Sequence, residues 1–420
     1  MLGLLASHAD GHVREAAIAE LAASPDVAAL PFLLWRCGDW VAPVRDGAQR
    51  AVRTRLHLDH APSFADLLPL VERLELIRRV DTSALIADIR ALLLREPGQA
   101  SLAACLRSHE PRVAREACRT LDTAGAPQPE MIDLALASRD LVVRRWVLAW
   151  EARLRTNEPQ RAAALRARLA ADSAARIRGA ALCAMAELDD PAAAETLQAA
   201  LLDPAASVRH DARFYLGKRT FGTDFAAGYR AALGGAQRAA AIAGLGETGV
   251  PGDWTLALPL LGGKPREARA ALKAAARLDA DACHEVLLAT LADAREGVGH
   301  EALLLLPHRL PEQDSAPLRR LWSEAASPAA RRTLAEALLR LPPWPGLLAL
   351  VSCARTDPEA PRGAAAGALA RWQPEQRAYY APEPPPPELR DRIAAALRDA
   401  TAALPEETAT RIERLLASVR

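Results

Sequence analysis

An apolar residue followed by arginine, placed just after a turn and at the head of an Ala/Leu-rich stretch, recurs along this chain at a nearly fixed interval. The clearest copies are Val13-Arg14, Val44-Arg45, Ile77-Arg78, Val143-Arg144, Ile177-Arg178 and Val208-Arg209. Looser copies carry Arg115, Arg238, Arg269, Arg331 and Arg362, and Gly299-His300 fills the remaining slot with histidine. Successive copies lie 29 to 37 residues apart, most often 31. A steady period of this length marks a stack of supersecondary units. One unit cannot bury its own apolar face, so a neighbour has to cover it.

Each unit divides into two short helices. The stretch before the arginine is amphipathic, as in Ala193-Ala-Glu-Thr-Leu-Gln-Ala-Ala-Leu-Leu202, and the arginine opens the second helix. Asp203-Pro204, Ser327-Pro328, Asp357-Pro358 and the weaker Glu110-Pro111 read as helix starts. The acid or serine accepts free backbone N–H groups, and proline in the first turn forfeits no hydrogen bond. No alternation of period two runs long enough for a sheet. Half the residues are hydrophobic but only 4% are aromatic, which suits many thin Ala/Leu seams better than one deep core. The sequence therefore predicts an all-α chain of about twelve two-helix repeats.

The pattern Asp–Pro–x–x–x–Val–Arg, as in Asp203-Pro-Ala-Ala-Ser-Val-Arg209, resembles the HEAT-repeat signature. The short period and Ala-rich second helix are most similar to the bacterial branch named after phycobilisome-lyase HEAT-like repeats. The resemblance covers about residues 1–370. It implies a right-handed α-α superhelix. It also implies that Arg14, Arg45, Arg115, Arg144, Arg178, Arg209, Arg238, Arg269, Arg331 and Arg362 form a structural ladder, bonded to acids or carbonyls of the turns. Function does not follow from it, because this family includes scaffolds, lyases, oxygenases and DNA-repair enzymes.

Three places depart from the period. The intervals from Arg45 to Arg78 and on to Arg115 stretch to 33 and 37 residues. Gly217-Lys-Arg-Thr-Phe-Gly-Thr-Asp-Phe225 has little helical character and reads as an ordered loop whose Phe residues plug a seam. Pro382-Glu-Pro-Pro-Pro-Pro387 reads as a stiff linker. The expected organisation is a repeat array over 1–381, a linker over 382–387 and capping helices over 388–420.

Signals for chemistry are thin. The six cysteines are scattered through apolar helical runs without C-x-x-C spacing, as expected of buried free thiols in a reducing cytoplasm. The N-terminal ten residues lack the basic and long apolar regions of a signal peptide, and no apolar run is long enough to span a membrane. With His-Glu pairs at His109, His284 and His300 and with His210-Asp211, the chain resembles the deoxyhypusine hydroxylases, HEAT-type di-iron oxygenases whose His-Glu pairs hold the metal. Yet the two pairs near the signature position, 210 and 300, lie three repeats apart and cannot share a metal. Gly244-Leu-Gly-Glu-Thr-Gly249 matches G-x-G-x-x-G by letter, but it follows a helix and reads as a helix terminator. No hydrolase nucleophile motif, P-loop or H-E-x-x-H occurs. No catalytic residue, metal or cofactor is expected.

The favoured reading is a non-catalytic scaffold or adaptor that binds a protein through the solenoid surface, without a membrane and with its oligomeric state open. Exposed aromatic and arginine positions are the candidate contacts: Trp35, Trp40, Arg145, Trp146, Trp150, Arg153, Tyr379 and Tyr380. The alternative is a DNA-binding or repair protein of the HEAT-like alkylbase glycosylase type, with Trp146, Trp150 and Arg153 on one helical face beside Arg144 and Arg145. The balance of 53 basic to 52 acidic residues weighs against a long basic groove. A bilin-lyase-like or metal-dependent HEAT enzyme is a lesser alternative.

Overall fold

The computed structural model describes residues 1–125, 127–188, 190–220, 222–295, 297–372 and 384–418. All regular structure among them is helical, so the chain is all-α. It divides into two compact units, Met1–Thr196 and Leu197–Arg420. Within each, helices pack mainly on those next or next-but-one in the chain. In the first unit Gly11–Ala23 packs on Ala42–Arg53, and Leu141–Asn157 packs on both Pro111–Thr123 and Ala175–Glu187. In the second, Arg238–Thr248, Pro265–Leu278, Val298–Leu305, Pro328–Leu338 and Ala364–Arg371 follow one another as a row of second helices. Such near-neighbour packing is what a repeat array requires.

The caps explain where these helices begin. Asp140 accepts from the Val142 N–H at 2.6 Å and opens Leu141–Asn157. Ser327 accepts from the Ala330 N–H at 3.1 Å, with Pro328 in the first turn of its helix. Even Glu110 caps, accepting from Arg112 at 3.3 Å. Two of the expected starts are displaced. Asp203 accepts from Ala205 at 2.7 Å, and Asp357 from Glu359 at 3.1 Å. Each closes a turn around its proline, and the helices begin later, at Ala206 and Ala364.

Five arginines share one geometry. Arg14, Arg144, Arg178, Arg209 and Arg331 each donate to the carbonyl six residues earlier: His8 (2.9 Å), Ser138 (2.8 Å), Asp172 (2.7 Å), Asp203 (2.7 Å) and Ala325 (2.7 Å). Those carbonyls lie in the turn before the helix, where the guanidinium replaces missing helical donors. Several arginines also reach an acid in the following repeat. Arg14 grips Asp39 at 3.0 and 3.1 Å, Arg115 takes Asp140 at 2.8 Å, Arg144 lies 3.2 Å from Asp172, and Arg238 takes Glu267 at 2.7 Å. Arg209 pairs with Glu247, near the end of the next second helix rather than in a turn.

Three of the expected rungs are corrected. Arg45 pairs with its neighbour Asp46 at 2.9 Å, because that short contact satisfies it without crossing a turn. Arg362 lies in the turn before Ala364–Arg371, too early to occupy the helical position. Arg269 is exposed, and its side chain has no hydrogen bond or ion pair among the described residues.

The stretched intervals contain an added helix. Ala61–Asp66, Leu68–Glu75 and Ser83–Leu94 occupy the span of one repeat, and Ile77-Arg78 falls in the turn between the last two. The segment from Gly217 is also corrected: Gly217, Lys218 and Arg219 continue the helix Ala206–Arg219, and Phe225 opens the next one against the second unit's core. Phe221 lies outside the described residues. Within Gly244–Gly249 only Gly249 stands at the helix end. Gly244 and Gly246 are packing sites, where an added Cβ would lie 2.2 Å from the Tyr229 ring and 2.7 Å from the Ala274 Cα. Of the proline run, residues 382 and 383 lie outside the described residues, while Pro387 opens the helix Pro387–Asp399 rather than ending a linker. That helix packs on Pro343–Arg355, and Arg411 donates to the Leu369 carbonyl at 2.5 Å.

All six cysteines are free thiols, and five are buried. Burial pushes the Cys37, Cys105, Cys118 and Cys353 thiols up to about 12, which removes them as nucleophiles near neutral pH. Among the described residues, no helix is long and apolar enough to cross a membrane.

Candidate functional site

Two of the aromatic candidates meet in one groove of the first unit. Trp35 closes the helix Leu30–Arg36 and is 42% exposed. Trp146 stands on Leu141–Asn157 at the rim of its buried face. Between them run the extra helix Leu68–Glu75, supplying Leu70, Arg73 and the following Leu76, and the helix Pro111–Thr123, supplying Arg112 and Glu116. The groove encloses about 700 Å³. Leu76 is 74% exposed, and Val142 beside Trp146 is also exposed. Exposed apolar side chains sharing a groove with two indoles form a surface of the kind that partners cover.

Among the described residues, two of the four arginines that line this groove, Arg115 and Arg119, are paired with carboxylates. Arg73 lays its guanidinium over the Trp35 ring, 3.1 Å from its centroid. Burial, then the nearby Arg36 and Arg79 charges, holds the Arg73 guanidinium below its ordinary pKa. Arg115 is taken by Asp140, and Arg119 reaches Glu75 at 3.0 Å and Glu116 at 3.5 Å. Arg112, and the exposed Arg145, which does not line the groove, have no side-chain carboxylate partner among the described residues.

Glu116 is the unusual group. It is buried on the floor of the groove, and that burial pushes its carboxyl up to about 7. Arg119 and Arg90 pull it down, while Glu72 and Glu75 push it further up. A carboxyl raised in the folded state keeps its full stability contribution below the unfolded-state value. It loses that contribution as pH rises through about 7. The variant Glu116→Gln is therefore expected to flatten the loss of stability between about pH 5 and about pH 8, a difference on the order of 2 kcal/mol. Chemical denaturation of both proteins across that range checks this, and parallel curves would show that Glu116 does not titrate there.

The remaining candidates divide. Trp40 is 70% exposed, with the Arg14 guanidinium 5.6 Å from its ring, but it does not line the groove. Trp150 is fully buried, which corrects its reading as a contact. Four residues on from Trp146, it is rotated about 40° further round the helix, into the row of Val143, Val147 and Leu154. Its Nε1 donates to the Asp122 carboxylate at 3.2 Å. Arg153, also expected at a contact, donates to the Asp122 carbonyl at 2.6 Å and to its carboxylate at 2.7 Å, so it ties two repeats together. Tyr379 and Tyr380 lie outside the described residues.

Sequence reasoning missed Arg73, Leu76, Arg112 and Val142. Arg112 and Val142 occupy variable positions of the turn–arginine phrase and Arg73 and Leu76 lie outside it, so only stacking of helices from separate repeats brings them together. Among the described residues no three His, Cys, Asp or Glu side chains converge as a metal site. His284 is engaged by Asp314, its Nε2 lying 2.9 Å from the carboxylate.

No family model matches the sequence, and no curated protein matches it. Among solved structures, the chain is similar to Kap95p in its complex with RanGDP at 10% identity, covering 98% of this chain and 66% of that one, with a TM-score of 0.37. It is similar to Kap121p at 15% identity, covering 95% and 52%, with a TM-score of 0.32. It is also similar to the karyopherin Kap121p bound to the extreme C-terminus of the protein phosphatase Cdc14p, at 14% identity, covering 96% and 54%, with a TM-score of 0.30. The chain thus spans between about half and two thirds of the length of these proteins. Similarity at this level assigns neither partner nor activity.

Proposed function

We propose that this chain is a non-catalytic helical-repeat scaffold of HEAT type that holds a protein partner in the groove between Trp35 and Trp146. The observation that carries this reading is the convergence of two indoles with exposed Leu76 and Val142 on one surface. Repeat arrays present extended surfaces of this kind, where a few aromatic anchors supply most of the affinity. A groove of about 700 Å³ accommodates a few anchoring side chains from a larger partner. A nucleic-acid backbone suits it less well, because Arg115 and Arg119 are already held by carboxylates and Glu72 and Glu116 line the same groove. The Asp203–Arg209 signature supports kinship with the phycobilisome-lyase branch. The free thiols support a cytoplasmic setting. The helices after the proline run are read as the end cap of the array.

Affinity capture from the native cell tests the proposal, using wild type, Trp35→Ala/Trp146→Ala and Trp40→Ala. The expected result is a protein retained by wild type and by Trp40→Ala but lost by the double variant, whose melting temperature falls by no more than a few degrees. Identical captured sets for all three would contradict it.

A further inference from the structure

The helix Pro265–Leu278 in the second unit carries Arg266, Arg269, Lys273 and Arg277. Their spacing of three, four and four residues places all four on one face, over about 16 Å of helix. Like charges at this spacing repel one another and disfavour a helix. Here Arg266 and Arg269 have no carboxylate among the described residues. Lys273 lies 3.0 Å from Glu301, and Arg277 is only 3.9 Å from Glu247, which Arg209 and Arg213 already hold. The Lys273 and Arg277 side chains are 61% and 65% exposed.

The stripe forms one wall of a groove of about 440 Å³. Small residues make its floor: Ala239, Ala243 and Gly246 from Arg238–Thr248, with Ala270 and Ala274 from the striped helix. Because a Cβ on Gly246 would sit 2.7 Å from the Ala274 Cα, the two helices touch almost backbone to backbone. The floor is therefore low enough for an incoming main chain to approach the guanidinium groups.

We infer that this groove binds an acidic peptide segment of a partner protein, as a second docking surface independent of the Trp35–Trp146 groove. Carboxylates of the segment meet Arg266, Arg269 and Arg277, two of which offer uncompensated guanidinium forks. Among the described residues no aromatic side chain lines the groove, so they offer no stacking platform of the kind that single-stranded nucleic acid uses. Glu301 also lines it, and one of its oxygens is unengaged among the described residues. A peptide N–H can donate to that oxygen, whereas a phosphodiester offers only acceptors there.

The test titrates the intact protein into a fluorescein-labelled decaglutamate peptide and follows anisotropy at about 50 mM and about 200 mM salt. Saturable binding is expected, weaker at the higher salt and weakened about tenfold or more by Arg266→Gln/Arg269→Gln. Both positions are exposed, and circular dichroism melts check that this variant folds as wild type does. Arg50→Gln/Arg53→Gln, two exposed positions at the end of Ala42–Arg53, removes the same charge from the first unit and is expected to leave the affinity unchanged. Absence of saturable binding, or equal weakening by both double variants, overturns the inference. So does tighter binding of a DNA oligonucleotide of equal charge that the Arg266/Arg269 variant abolishes, which would assign the groove to nucleic acid.

Discussion

Asp39→Ala is expected to lower the unfolding free energy by about 3–5 kcal/mol, the cost of leaving a buried charge without its partner. Arg14 and Asp39 are both almost fully buried and meet through two hydrogen bonds, at 3.0 and 3.1 Å. Asp39 also accepts from Arg36 at 3.2 Å and from the Val41 N–H at 2.9 Å, so one carboxylate joins the first repeat to the second. Without it, the Arg14 guanidinium keeps only the His8 and Ala9 carbonyls. Burial by itself would raise the Asp39 carboxyl, but hydrogen bonds from Arg14 and Val41 and the Arg14 and Arg36 charges outweigh it. The group is held below the usual carboxylate range. Its stabilising contribution is therefore complete above the unfolded-state value and is lost as pH falls through the lower folded-state value. Urea denaturation at neutral pH checks the size of the effect. A loss below about 1 kcal/mol would mean that the recurrent arginine is not a structural element in this repeat.

Trp150→Ala and Trp146→Ala are expected to behave as opposites, although the two residues are identical and one turn apart. Removing the fully buried Trp150 leaves a cavity and strips Asp122 of an indole donor, and about 3–5 kcal/mol of stability should go with it. Trp146 is half-buried at the groove rim, so its removal is expected to cost about 1 kcal/mol or less while weakening partner binding. Thermal melts of the two variants separate the roles. Equal destabilisation would place Trp146 in the core and remove it from the proposed surface.

The arginine phase was legible because one local geometry, a guanidinium reaching the carbonyl six residues back, recurs wherever the turn has the same length. It failed at Arg45, where Asp46 offers a shorter partner, and at Arg78, where a third helix enters the repeat. No capping signal marks the extra helix Leu68–Glu75, because Leu67 precedes it without a side-chain cap. The groove was half legible. Trp35 and Trp146 stood out by residue type, but their meeting depends on how Leu68–Glu75 stacks on Pro111–Thr123, which periodicity does not encode. Trp150 and Arg153 were misjudged because an i, i+4 pair spans enough of a helix to put one member at the rim and the other in the core.

Hydrogen exchange of the chain with and without its captured partner tests the central claim most directly, since it reports where the partner sits. The account expects added protection in residues 68–76, 111–119 and 141–146, the three segments that wall the groove with Trp35. Protection confined to other segments of the first unit, with these three unchanged, would contradict it.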